Sequence, residues 1–178
     1  ITTMRFARHL HTLLRQKQQA NRDLLNFMRP LDAAAHPQEH HYAIRILNHA
    51  LVVDQIFQAH LQGKAHPFTA TNTTDTPTLT DLTQAIAKTD AWYADYSASI
   101  GTDALAQILD FVFTDGQTGH MTRGEMLLHV ATHNAYHRGG AGRALSIYNQ
   151  TLPKDGLAAF VATQVRNFAQ NPAVTGHL

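Results

Sequence analysis

Three histidines, His129, His133 and His137, follow one another at four-residue intervals in a chain that carries 13 histidines and no cysteine. The missing thiols exclude disulfides, thiolate metal sites and cysteine nucleophiles together, so any metal must sit on nitrogen and oxygen. On a helix, residues four apart lie one turn apart on the same face, and an adjacent pair can share one ion. The outer two lie about 12 Å apart along the axis at ~1.5 Å rise per residue, so all three cannot bind one metal without distorting the helix.

Rotation at ~100° per residue separates the two candidate pairs. Met126, Val130, His133, His137 and Ala144 share one narrow sector, which is expected to face the core, while His129 lies toward its edge near Glu125, Tyr136 and Ile147. His133 with His137 is therefore the inward pair. A facing helix offers a third imidazole, because the stripe Tyr42, Ile46, Val53 and Ile56 contains His49 at its middle. Burying a polar group without a partner costs roughly 1 to 3 kcal/mol, and coordination would satisfy it. Three neutral imidazoles with no fourth protein ligand leave positions for water or substrate, which is the pattern of a catalytic rather than a structural site. The expected cofactor is one divalent ion per chain, zinc or nickel first, with iron and manganese also open.

Two other metal architectures do not fit the residue types. Carboxylate-bridged di-iron bundles use inward Glu residues and Glu-x-x-His spacing, whereas Glu125 and His129 are four apart and only Asp54 lies inside the helix that carries His49. Haem held by two histidines takes ligands from opposite sides of the ring, so a pair one turn apart on one helix favours a single small ion.

The elements that must position these residues are legible as helices. Phe6, Leu10, Leu13, Leu14, Leu24, Leu25 and Met28 recur at helical spacing from Arg5 to Met28, before Pro30. A second helix spans Glu39 to Leu61, with Pro37 suited to its first turn and Gly63 just past its end. Residues 63–79, rich in threonine and without hydrophobic period, read as a loop, on the side of disorder or surface packing rather than the rim of a site. A third helix runs from Thr80 to Ser99 with Leu82, Ile86, Trp92, Tyr96 and Ile100 on one stripe. Ile108 to Phe113 and Thr118 to Met121 form a short hairpin around Asp115-Gly116. Thr122 and Glu125 make a capping box, with Met121 and Met126 as a hydrophobic staple, so a fourth helix starts there and continues to about Tyr148. A small amphipathic helix follows Pro153 and Asp155, carrying Leu157, Phe160, Val161, Val165 and Phe168, and the tail after Gln170 is expected to fray. The fold expected is all-α: an up-and-down four-helix bundle, with a hairpin before the fourth helix and a small C-terminal helix, as one domain over 1–178.

With 14 Lys plus Arg against 13 Asp plus Glu the formal charge is +1, which gives no electrostatic attraction to nucleic acid or anionic membrane. The longest apolar runs fall short of a spanning helix, and the first residues lack a signal peptide's hydrophobic core. A soluble, cytoplasmic protein is expected, although absent cysteine fits the periplasm equally.

The run LLHVATHNAYHRGGAGRAL, residues 127–145, resembles the signature helix of the DinB-like (YfiT-like) family of metal-dependent proteins, and NHALVVDQIF at 48–57 is similar to that family's first metal-ligand helix. Helix order and length agree over most of the chain. The resemblance implies a four-helix bundle, a homodimer, and a metal triad at His49, His133 and His137, the three already reached from helix geometry. Where the family shows H-R-G-Q, this chain has His137-Arg138-Gly139-Gly140, so any role of the glutamine is absent. Some relatives transfer low-molecular-weight thiols to electrophiles, which implies a small-molecule substrate and a thiol partner; others have no assigned reaction.

Around the triad, Arg138 is expected to pair with an acidic substrate group or a helix-lining acid, or else to stay solvated. His129 is expected as a neighbour of the metal site, hydrogen-bonded to Glu125 or assisting proton transfer. Gly139, Gly140 and Gly142 imply close backbone approach to a neighbouring helix. Tyr136 and Asn48 point away from the ligands. His9, His11, His36, His40, His41, His60, His66, His120 and His177 are expected at the surface or in local bonds. Three functions stay open: an enzyme whose metal activates a thiol or water against a small electrophile, a non-catalytic metal- or ligand-binding stress-response protein, and a plain helical scaffold.

Overall fold

The computed structural model describes residues 2–170, with side chains from residue 6 to residue 164. The tail after Gln170 and His177 lie outside the described residues, as do the side chains of Val165 and Phe168. The elements run α1 (Thr2–Met28), α2 (Pro37–Gln62), α3 (Leu79–Ser99), α4 (Thr102–Leu105), β1 (Ile108–Val112), β2 (Thr118–Thr122), α5 (Arg123–Leu145), a 3₁₀ turn (Ser146–Tyr148) and α6 (Leu157–Gln170). Helices α1, α2, α3 and α5 form the bundle, with α2 packed most extensively on α5, α1 on α3 and on α5, and α2 on α3. The expected all-α bundle with its hairpin is the fold found. The one-turn helix α4 has no counterpart in the sequence reading, because four residues carry no hydrophobic period. Among the described residues no helix is long and apolar enough to cross a membrane.

Local chemistry sets the helix ends. Pro37 opens α2, where its missing N–H is an orphan in any case, and Gly63 closes it at φ 64°, a left-handed conformation that glycine adopts without strain. Thr78 caps α3 by accepting from the Asp81 N–H. At α5 both halves of the Thr122/Glu125 capping box are made. The hairpin pairs β1 antiparallel to β2 with Phe111 opposite Gly119 and Asp110 opposite His120.

The core has two apolar ends and a polar waist. One end gathers Leu10, Leu14, Val53, Phe57, Tyr93 and Leu127. The other gathers Leu24, Met28, Leu47, Leu82, Ile86 and Leu145. Between them Lys17 of α1 pairs with Asp90 of α3 and, at 2.8 Å, with Asp54 of α2. Asn134 of α5 donates to Asp54 at 2.8 Å, and Asn21 of α1 donates to Asp90 at 2.8 Å and to Asn134 at 3.2 Å. Tyr93 donates to the Asp54 carbonyl at 2.6 Å. Burial pushes the Asp54 carboxyl up to about 7 against the pull of Lys17. Burial alone would lower Lys17, but Asp54 and Asp90 outweigh it and hold the ammonium above its ordinary value.

This waist corrects the rotation expected for α5. Its buried residues are Gly124, Met126, Leu127, Val130, Ala131, Asn134, Arg138, Ala141 and Leu145, of which Met126 and Val130 belong to the expected sector. His133 and His137 are half-buried on the flank, so the deepest line lies about a quarter turn from the sector centred on them, at ~100° per residue. Asn134 occupies a core position because buried Asp54 and Asn21 satisfy it, and Arg138 does so because buried Asn21 and the more exposed Asp155 do, which a hydropathy pattern does not register. The stripe through Tyr42, Ile46 and His49 is likewise a flank of α2, with Tyr42 49% exposed.

Because the waist joins four helices, removing its cation leaves two buried carboxylates facing each other. Lys17→Met is expected to destabilise the protein by about 3 to 5 kcal/mol in urea unfolding, the range for breaking a buried ion pair. A loss below about 1 kcal/mol would show that the pair does not hold the bundle.

Candidate metal centre

The seam between α2 and α5 brings His49, His133 and His137 together, with one ligand nitrogen from each within 4.8 Å of the others. Ring centroids lie 5.0 Å apart for His49–His133, 4.6 Å for His49–His137 and 4.3 Å for His133–His137. The one-turn spacing on α5 sets the last of these, and the Nε2 atoms of His133 and His137 approach to 3.0 Å. Two nitrogens of a tetrahedral zinc site lie about 3.3 Å apart when each Zn–N bond is ~2.0 to 2.1 Å, so this pair is close to ligand spacing.

The loop expected to be disordered or merely packed on the surface instead shapes the site. The Thr71 carbonyl sits 2.7 Å from His49 Nδ1. A carbonyl only accepts, so Nδ1 carries the hydrogen and Nε2 keeps the lone pair for a metal. The same stretch is pinned to α2 around it. Arg45 donates to the Thr73 carbonyl at 2.8 Å, Asn48 donates to Asn72 at 2.6 Å and to Thr73 at 2.7 Å, and Asn72 returns a bond to the Arg45 carbonyl at 3.0 Å. Asn48 points away from the histidines, as expected, and its partner is the strap that orients His49. The Nδ1 atoms of His133 and His137 are buried with no protein partner, so no acceptor among the described residues fixes their tautomer in the way Thr71 does for His49.

Burial also sets the protonation. Desolvation, reinforced by His137, His129 and His49, lowers His133 from 6.5 to about 3, and desolvation followed by His49 lowers His137. The deprotonated imidazoles that a metal requires are therefore favoured by the fold itself. Three imidazole nitrogens with no carboxylate or thiolate fit a borderline divalent ion such as zinc or nickel, with iron and manganese also compatible.

Arg138 is neither solvated nor turned toward the three histidines. It is 2% exposed and forks onto Asp155, at 2.6 Å from Nε and 3.2 Å from the second amino group, with a further bond of 3.2 Å to Asn21. It ties the connection before α6 to the waist, and Gln16 donates to the same carboxylate at 3.1 Å. His129 is not bonded to Glu125, whose carboxylate is engaged in the capping box. Its ring lies on His133 at 5.2 Å and against Phe57 at 4.8 Å. Of the three glycines expected at a close approach, Gly140 alone is tight: a Cβ there would stand 3.0 Å from Ile46 of α2, whereas one on Gly139 would meet nothing. His60, expected at the surface or in local bonds, lies among Phe57, Phe111 and His66, with a buried Nε2 that has no hydrogen-bond partner among the described residues.

Between pH 6.5 and about 3 the unfolded chain protonates His133 while the folded chain does not, so this residue withdraws stability as pH falls through that window. Asp54, whose folded carboxyl is raised to about 7, acts in the opposite sense between its ordinary value and neutrality. A difference measurement isolates the histidine. The melting temperature of metal-free His133→Phe, relative to wild type, is expected to rise steadily as pH is lowered from 7 to 4.5. A constant offset would mean that His133 titrates normally in the folded protein.

No curated protein and no solved structure matches the chain. The sequence model of the DinB family matches residues 5–146, a span that takes in α2, the hairpin and α5 with all three histidines. On that match over most of its length, together with the helical bundle and the histidine triad it encloses, the chain belongs to the DinB family.

Proposed function

We propose that His49, His133 and His137 hold one divalent metal ion and that the protein is a metal-dependent enzyme acting on a small electrophile. The convergence of three imidazoles at the α2–α5 seam supports this reading more than any other observation. When bound, such an ion supplies a Lewis acid that lowers the pKa of a thiol or water. The chain has no cysteine, so a thiol nucleophile is a co-substrate of low molecular weight. The residues then do three things: the Thr71 carbonyl holds the His49 ring, burial keeps His133 neutral, and the apolar side chains beside the triad exclude water from the reacting groups.

A second reading, a metal- or ligand-binding protein without turnover, draws on one observation: among the described residues, no carboxylate lines the cavity beside the triad to act as a base.

Elemental analysis of untagged protein, purified without a nickel column, is expected to give about one ion per chain. His49→Ala and His137→Ala should each weaken zinc binding by at least tenfold in chelator competition, while His129→Ala, which removes a ring contact, keeps most of the metal. Loss of metal in His129→Ala alone would move the site one turn along α5.

For the reaction, the zinc- or nickel-loaded protein is expected to accelerate addition of a small thiol to an activated electrophile, and chelation should abolish the effect. A broad thiol and electrophile screen without any metal-dependent rate would leave the non-catalytic reading.

A further inference from the structure

A chamber of about 190 Å³ opens directly beside the triad, and His49 and His133 form part of its wall. Val53, Ile56 and Phe57 of α2 make one side, and Phe111 and Phe113 of the hairpin close the other. Among the described residues, no Asp, Glu, Lys or Arg lines it. The hairpin lies outside the four-helix bundle, and its sequence fits the task of closing this space. Phe111 sits edge-on to Phe57 at 5.8 Å and to Phe113 at 4.8 Å. It keeps that position because the residue opposite is Gly119, where a Cβ would stand 2.4 Å from the Phe111 ring.

Resting on the metal reading above, we propose that this chamber takes the uncharged, apolar end of the substrate, a group of about one six-membered ring, with the reactive end of the same molecule toward His49 and His133. Size points to one ring: an apolar cavity of roughly 150 Å³ holds benzene, and about 190 Å³ matches one substituted ring. Wall chemistry sets the polarity, since a charged group at the end away from the three histidines would lose its hydration with no Asp, Glu, Lys or Arg of the described lining to pair with it. A larger cavity of about 660 Å³ between α2 and α3 is lined by Trp92, Lys64 and Lys88 but by none of the three histidines, so it does not serve the same centre.

The test uses the cobalt(II)-loaded protein and two neutral thiols of similar acidity, benzyl mercaptan and 2-mercaptoethanol, read by the thiolate-to-cobalt absorption band. Benzyl mercaptan is expected to bind at least about tenfold tighter, the gain from burying one ring, and a naphthylmethyl thiol should lose that gain. Thr114→Trp, which adds bulk to the lining at a residue outside the triad, should remove the preference while cobalt stoichiometry stays the same. Phe113→Ala should admit the naphthyl thiol, so a misfolded Thr114→Trp does not decide the matter. In parallel, toluene is titrated into metal-free protein and followed by chemical-shift changes of the Phe and His rings. Failure to load cobalt would remove the metal reading, and the toluene experiment would still decide the chamber. Equal binding of both thiols to cobalt-loaded wild type, with no toluene shifts, would overturn the chamber proposal and leave the metal reading standing.

Discussion

The buried pairing of Lys17 with Asp54 and Asp90 is the constraint on which the rest of the structure depends. Apolar packing tolerates a helix rolling by a fraction of a turn, but a charge buried to this depth does not, because each missed contact leaves a desolvated ion. Asn134 and Arg138 carry that constraint to α5, and each directly follows a histidine of the triad in sequence. The amide and guanidinium hold the inner face of the helix, so the imidazoles one residue back emerge on the flank facing His49. Asp54, a little over one turn beyond His49, does the same for α2.

A flank position suits a metal centre better than the middle of the core. It is dry enough to keep His133 neutral far below its ordinary value, yet open enough to adjoin a chamber. Full burial would deny access to any ligand, and full exposure would leave the rings to titrate near neutrality and to rotate freely. The strap around Thr71 compensates for the half-open setting by fixing one ring through a hydrogen bond.

Much of this is legible in the sequence, and the reasons differ from residue to residue. The capping box and the Gly63 stop are local signals and fix the helix ends within a residue or two. The triad follows from one-turn spacing and from a histidine set in an apolar stripe. The roll of α5 does not follow, because the residues that decide it, Asn134 and Arg138, look solvent-facing until their partners on α1 and α2 are known. Arg138 is opaque for a related reason: its acid, Asp155, lies beyond the end of the helix. His60 and the chamber depend on how the hairpin folds over α2, a long-range contact that no local pattern encodes.

The contact between the loop and His49 has a further implication for how this centre is written into the genome. Thr71 acts through its backbone carbonyl, and its side chain is exposed, so almost any residue could stand there without altering the bond. What is specified is the number of links between Gly63 and the carbonyl, together with the Asn48 and Arg45 anchors that pin the stretch. Gaining or losing one codon in this stretch would bring a different carbonyl onto the imidazole, whereas a point change at position 71 would leave that bond in place and alter only the chamber wall that Thr71 lines. A part of the metal site is therefore spelled in length and not in letters.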